Sequence, residues 1–85
     1  MKLEFTKSFV RDYRKLPQHL QEQTDRKLTL LLANQKHPSL RVHKIKKTTD
    51  IFEGSVTMNY RFTFQIEADR YILRRIGTHD IIKTP

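Results

Sequence analysis

The stretch Tyr60-Arg61-Phe62-Thr63-Phe64-Gln65-Ile66-Glu67 decides how this chain is read, because its apolar residues fall on even positions and its polar residues on odd ones. Alternation with period two is the pattern of a strand with one apolar and one polar face. The apolar face requires a covering layer. The polar face, with an arginine in mid-strand, is where function is to be sought.

The neighbouring strands can be registered against this one, because a slip of one residue would turn every apolar side chain outward. Thr57-Met58-Asn59 reads as a three-residue hairpin loop with Asn59 in the left-handed conformation. Val56 then faces Tyr60, Gly54 faces Phe62 and Phe52 faces Phe64, leaving Ser55 beside Arg61 and Glu53 beside Thr63 on the polar face. A two-residue loop at Ala68-Asp69 sets Tyr71 across from Ile66 and Leu73 across from Phe64. Continued without interruption, that ladder puts Arg74 opposite Thr63 and Ile76 opposite Arg61. It brings Gly77-Thr78-His79 to the sheet end where Arg61 lies, so Arg61 and His79 are expected to converge.

Upstream, Lys2 to Phe5 reads as a short strand with Leu3 and Phe5 inward, and Thr6 as a helix N-cap. Phe9, Val10, Tyr13 and Leu16 make one face of a first helix, which Pro17 ends. A second helix runs from about Gln18 to Asn34 with Leu20, Thr24, Leu28 and Leu31 along one stripe, and His37-Pro38 forbids its continuation. The expected fold is α+β in the order β-α-α-β-β-β, with a helix hairpin packed on one face of a small twisted antiparallel sheet. Residues 1–85 form one domain.

Seventeen Lys and Arg against nine Asp and Glu give a net charge of +8. So basic a small domain suits a polyanion, because neutralising phosphates releases counterions whatever the base sequence. The cations concentrate in Arg41, His43, Lys44, Lys46 and Lys47, within a segment that Leu40, Val42 and Ile45 can pin to the core. This anchored basic loop is either a solvated face or a phosphate-tracking one. The chain has no cysteine and no apolar run near the roughly 20 residues of a membrane span, and Met1 to Phe5 lacks a signal-peptide core. A soluble, cytoplasmic protein without membrane contact is expected. With two glycines there is no phosphate-cradling glycine loop, and the four histidines lack tight ligand spacing, so neither a metal nor a cofactor is expected.

Cleaving RNA without a metal takes a base for the 2′-hydroxyl proton, an acid for the leaving 5′-oxygen and cations for the phosphorane-like transition state. Glu53, Arg61 and His79 supply those three types on one face and are the candidate catalytic residues. Arg41, His43, Lys44, Lys46, Lys47, Arg74 and His37 are candidates for contact with RNA phosphates. A cross-strand ion network around Glu53, Arg61 and Arg74 is the purely structural reading of the same residues.

Phe9-Val10-Arg11-Asp12-Tyr13-Arg14-Lys15-Leu16-Pro17, His37-Pro38, Val42 to Ile45, Tyr60-Arg61 and Arg75-Ile76-Gly77-Thr78-His79, in that order, resemble the RelE/ParE superfamily of type II toxins. Within it the chain is similar to RelE- and YafQ-like messenger RNA interferases. The resemblance implies a twisted sheet with two helices on one face, and an open basic face that enters the ribosomal A site and cleaves messenger RNA there. It also implies a cognate antitoxin that wraps the toxin, with operator DNA reached only through that complex. Arg61 matches the strand arginine for phosphate stabilisation, His79 the catalytic histidine after Gly-Thr in YafQ-like members, and His37 their active-site histidine before proline. Glu53 and Ser55 stand where RelE-like toxins carry two lysines, and Asn59 stands where YafQ-like toxins carry an acid. Activity can then draw on Glu53 as base or on His43, Lys44 or Lys46. The alternative within the superfamily is a ParE-like inhibitor of DNA gyrase that cleaves nothing. A double-stranded RNA-binding module shares the mixed composition, but it would need a helix after its third strand, and only residues 80–85 follow here.

Overall fold

The computed structural model describes residues 1–85 and contains five strands and two helices: β1 (Lys2–Phe5), α1 (Lys7–Arg14), α2 (Gln18–Ala33), β2 (His43–Lys44), β3 (Phe52–Ser55), β4 (Tyr60–Glu67) and β5 (Arg70–Thr78). Two short 3₁₀ turns, Pro38–Leu40 and His79–Lys83, complete it. The strands form one sheet in the order β1-β5-β4-β3-β2. The sheet is mixed where an antiparallel one was expected, since β1 runs parallel to β5. Alternation fixes which way side chains point but not which way a strand runs. The parallel pairing needs a long crossover, and everything between residues 5 and 70 supplies it.

Local chemistry sets the element ends. The Thr6 side chain accepts from the Phe9 amide at 3.2 Å, capping α1, and its hydroxyl donates to the Leu73 carbonyl at 2.9 Å, fastening the cap to β5. Pro17 precedes α2. The helices are joined by the Tyr13 hydroxyl, which donates to Asp25 Oδ1 at 2.7 Å. Leu20, Thr24, Leu28 and Leu31 are the buried residues of α2, and the Thr24 hydroxyl satisfies itself on the Leu20 carbonyl at 2.7 Å.

The core joins Phe9 of α1, Leu28 and Leu31 of α2, Leu40 and Val56 to Phe62, Phe64, Tyr71, Leu73 and Ile76 of the sheet. Gly54 is required here, because a Cβ at that position would lie 2.4 Å from Cζ of Phe62. The even residues of β4 are not all buried: Ile66 is 40% exposed, near the tip that closes on β5. Phe5, expected inward, is 48% exposed. It belongs to an edge strand and packs its ring 5.4 Å from that of Phe9.

The β3–β4 register is as expected, from Phe52 opposite Phe64 to Ser55 opposite Arg61. Asn59, however, is not left-handed; the positive φ values belong to Arg41 and Ala68. The Thr57 hydroxyl accepts from the Asn59 and Tyr60 amides at 3.3 and 3.2 Å, so a side chain shapes this loop instead of a left-handed residue.

The β4–β5 register agrees from Glu67 to Phe64 and then shifts, pairing Thr63 with Arg75, Phe62 with Ile76 and Arg61 with Gly77. Arg74 is therefore a bulge residue and does not face Thr63, and Ile76 does not face Arg61. The bulge lets Leu73 and Ile76, three residues apart, both point into the core. Asp12 completes it: its Oδ2 accepts from Arg75 Nε at 2.6 Å and from the Ile76 amide at 3.2 Å, tying α1 to the end of β5.

Candidate active site

The sheet face away from the helices carries the odd residues of β4 and their neighbours on β3. It is not simply open to solvent. The 3₁₀ turn at His79–Lys83 returns the chain across it, so that the Pro85 backbone oxygen accepts from Thr63 Oγ1 at 3.2 Å and from Arg74 Nε at 3.1 Å. On the other side the basic segment adds β2 as an edge strand, with His43 paired to Glu53.

Glu53 lies between these two covers and is only 2% exposed. A carboxylate so buried is held by opposite charges or by donors. His43 Nε2 lies 2.8 Å from Glu53 Oε1, while His79 Nδ1 and Arg61 Nε lie 3.8 and 3.9 Å from Oε2. Oε2 itself has no hydrogen-bond partner within the protein. The two histidine side chains are 60% and 77% exposed, so each presents a ring to solvent while touching a buried carboxylate. His43 is pinned at both nitrogens, since Nδ1 also meets the Arg41 carbonyl at 3.0 Å.

A groove of about 1080 Å³ runs over this cluster, lined by His43, Lys44, Lys46, Lys47, Glu53 and His79 and, from the returning segment, Ile82, Lys83 and Pro85. The sequence-predicted residues Glu53, His79, His43, Lys44, Lys46 and Lys47 are thus brought together. Arg61 approaches the cluster through Nε and Glu53, while its Nη1 donates to the Thr57 carbonyl and, at 3.4 Å, to that of Tyr60. Arg61 lines a separate, smaller cavity with Arg41.

Arg74 and His37 line neither of these cavities. Arg74 is occupied, with Nη1 donating to Gln65 Oε1 at 2.6 Å and Nε to the Pro85 backbone oxygen at 3.1 Å. His37 caps the Pro38–Leu40 turn, its Nδ1 lying 3.2 Å from the Ser39 amide and 2.9 Å from the Ser39 hydroxyl. It lines another cavity, of about 470 Å³, with Phe52 and the outer side of His43. Sequence reasoning missed Lys83, which reaches the groove only because the 3₁₀ turn doubles back. It also missed Asp12, whose signal was an acid among the basic residues of an amphipathic helix.

No family model matches the sequence, and no curated protein matches it either. Solved structures do. A YoeB/ParE toxin from Agrobacterium tumefaciens is similar at 16% identity and a TM-score of 0.79, over 93% of this chain and 99% of that one. YafQ from E. coli gives 14% and 0.79 over 95% and 96%. The toxin of a RelB-RelE antitoxin–toxin complex from Methanococcus jannaschii gives 22% and 0.76 over 95% of both chains. At these identities the shared property is the fold: two helices on a five-stranded mixed sheet, as in the RelE/ParE toxins.

Proposed function

We propose that this chain is the toxin of a type II toxin–antitoxin pair and acts in the cytoplasm as a ribosome-dependent endoribonuclease on messenger RNA. The RelE/ParE fold supports the toxin reading. The nuclease reading rests on one observation above all: Glu53 Oε2, a buried and unpartnered carboxylate oxygen, flanked by His79 and Arg61 under a lysine-lined groove. A buried acceptor without a donor is costly and calls for an explanation. A substrate hydroxyl donating to it supplies one.

In this mechanism the phosphodiester of a single strand lies in the groove, its charge met by Lys46, Lys47 and Lys83 and at the inner end by Arg61. Glu53 Oε2 takes the 2′-hydroxyl proton as the 2′-oxygen attacks phosphorus. The P–O5′ bond breaks, and His79 protonates the departing 5′-oxygen through Nε2, leaving a 2′,3′-cyclic phosphate and a 5′-hydroxyl. His79 is exposed enough to turn about its own side-chain torsions and open the approach to Oε2. His43, bonded to the other carboxylate oxygen, is a positioning residue that holds Glu53. The lysines expected at positions 53 and 55 from the resemblance are replaced in this scheme by lysines of the β2 segment. Inhibition by a cognate antitoxin covering this face, and operator binding through that complex, belong to the same reading.

The test is incubation of the purified protein with ribosomes carrying a defined messenger RNA. Cuts in the A site ending in cyclic phosphates are expected, with Glu53→Gln and His79→Ala each slowing them by about 10²-fold or more. Uncut RNA combined with loss of DNA gyrase supercoiling would replace this reading with the ParE-like one.

A further inference from the structure

We propose that the small cavity beside Arg61 is a second phosphodiester subsite, which binds the RNA phosphate next to the one being cleaved. The proposal deepens the nuclease reading and rests on it for the identity of the strand. The cavity, of about 250 Å³, is lined by Lys27 of α2, Ser39 and Arg41 of the 3₁₀ turn region, Ser55 of β3, Thr57 and Arg61. Three cations and three hydroxyls from five places in the chain converge there, and no acidic residue lines it. That donor set matches a phosphodiester, whose two free oxygens accept charge-assisted hydrogen bonds.

Arg41 supplies a second, independent observation. It adopts φ 48° and ψ 42°, the left-handed region, where a side chain with a Cβ is disfavoured and glycine or asparagine is the usual occupant. An arginine held in that conformation directs attention to what its side chain does. The same turn points the Arg41 carbonyl at His43 Nδ1, 3.0 Å away. Occupation of the cavity by a phosphate would therefore bear on the residue that holds Glu53. Arg61 is the junction, with Nε toward Glu53 and the side chain along the cavity wall. Its Nη1 is engaged by the Thr57 and Tyr60 carbonyls, so Nη2 is the nitrogen left for a phosphate in the cavity.

The experiment measures binding of a short single-stranded RNA, made uncleavable by 2′-O-methyl groups, by fluorescence anisotropy across a salt series. It is repeated with one inter-nucleotide linkage at a time replaced by a neutral methylphosphonate. Lys27→Ala and Arg41→Gly remove one cation each, and glycine keeps the left-handed backbone at position 41. Each is expected to weaken binding about tenfold and to lower the salt slope by about 0.7. A methylphosphonate at one position should weaken the wild-type protein similarly and leave the two variants nearly unaffected. Wild-type affinity and salt slope in both folded variants would overturn the subsite, as would wild-type protein that shows no salt-dependent binding. Normal binding by all the expected criteria, without cleavage of ribosome-bound RNA, would leave the subsite standing and remove the catalytic reading instead.

Discussion

The two faces of the same three strands differ in what burial does. On the helix side Phe62, Phe64 and Leu73 are fully covered and make a continuous apolar core. On the other side Glu53, Ser55 and Thr63 are nearly as inaccessible, yet they are polar and are covered by β2 and the C-terminal 3₁₀ turn. Burial on the first side stabilises the fold, because apolar area leaves water at about 25 cal/mol per Å². On the second side it costs stability unless partners are supplied, and at Glu53 Oε2 the protein supplies no hydrogen bond, only His79 and Arg61 at 3.8 and 3.9 Å. An inaccessible residue on the helix side is scaffold, whereas one on the other side is a candidate for chemistry.

Four substitutions probe that contrast. Phe64→Ala, which empties the centre of the apolar side, should cost about 3–5 kcal/mol in urea unfolding. Asp12→Ala removes the acceptor for Arg75 Nε and for the Ile76 amide at the bulge. A loss of about 2–3 kcal/mol is expected, since a charged acceptor goes and an amide is left unpaired. Asp12→Asn with unchanged stability would mean that the carboxylate charge plays no part. Glu53→Gln should change stability by about 1 kcal/mol or less, because its two histidine partners are exposed and remain solvated without it, and under the proposed nuclease reading it should abolish most cleavage. A large destabilisation by this variant would make Glu53 a structural residue and erase the distinction between the faces.

The smallest effect is expected at Tyr13. Its hydrogen bond to Asp25, aided by burial and by the carboxylate charge, pushes the phenol from 10.0 up to about 12. The unfolded chain therefore releases this proton first. The stability the neutral phenol contributes is complete below about pH 10 and is lost as pH rises through about 12. Unfolding midpoints followed across that range should fall less steeply for Tyr13→Phe than for the parent chain. Tyr71, which burial shifts in the same direction, keeps a remaining slope in both.

The bulge could have been read in the sequence. Leu73 and Ile76 are three residues apart, a spacing no uninterrupted strand can bury on one face, and the ladder continued through Arg74 and Arg75 ignored it. The exposed Ile66 and Phe5 were not legible in the same way, since alternation says which side a residue faces but not whether anything covers it. Among site residues, Glu53, Arg61 and His79 could be placed together because they sit on adjoining strands joined by short loops, whose lengths fix the register. Arg74 was misplaced by the bulge. His37 falls outside the Glu53 cluster because its own local turn uses its ring as a cap.

The sequence by itself determined the helix hairpin, the alternating strand, the β3–β4 register and the excess of positive charge. Each follows from short-range backbone geometry or from counting, and neither depends on where the rest of the chain goes. Only the tertiary structure decided that β1 runs parallel to β5, that the basic segment becomes an edge strand against Glu53, and that the last residues fold back over Thr63. Those contacts join residues up to 68 positions apart in sequence. They are selected by the closing of one core and its covers, which no local pattern records.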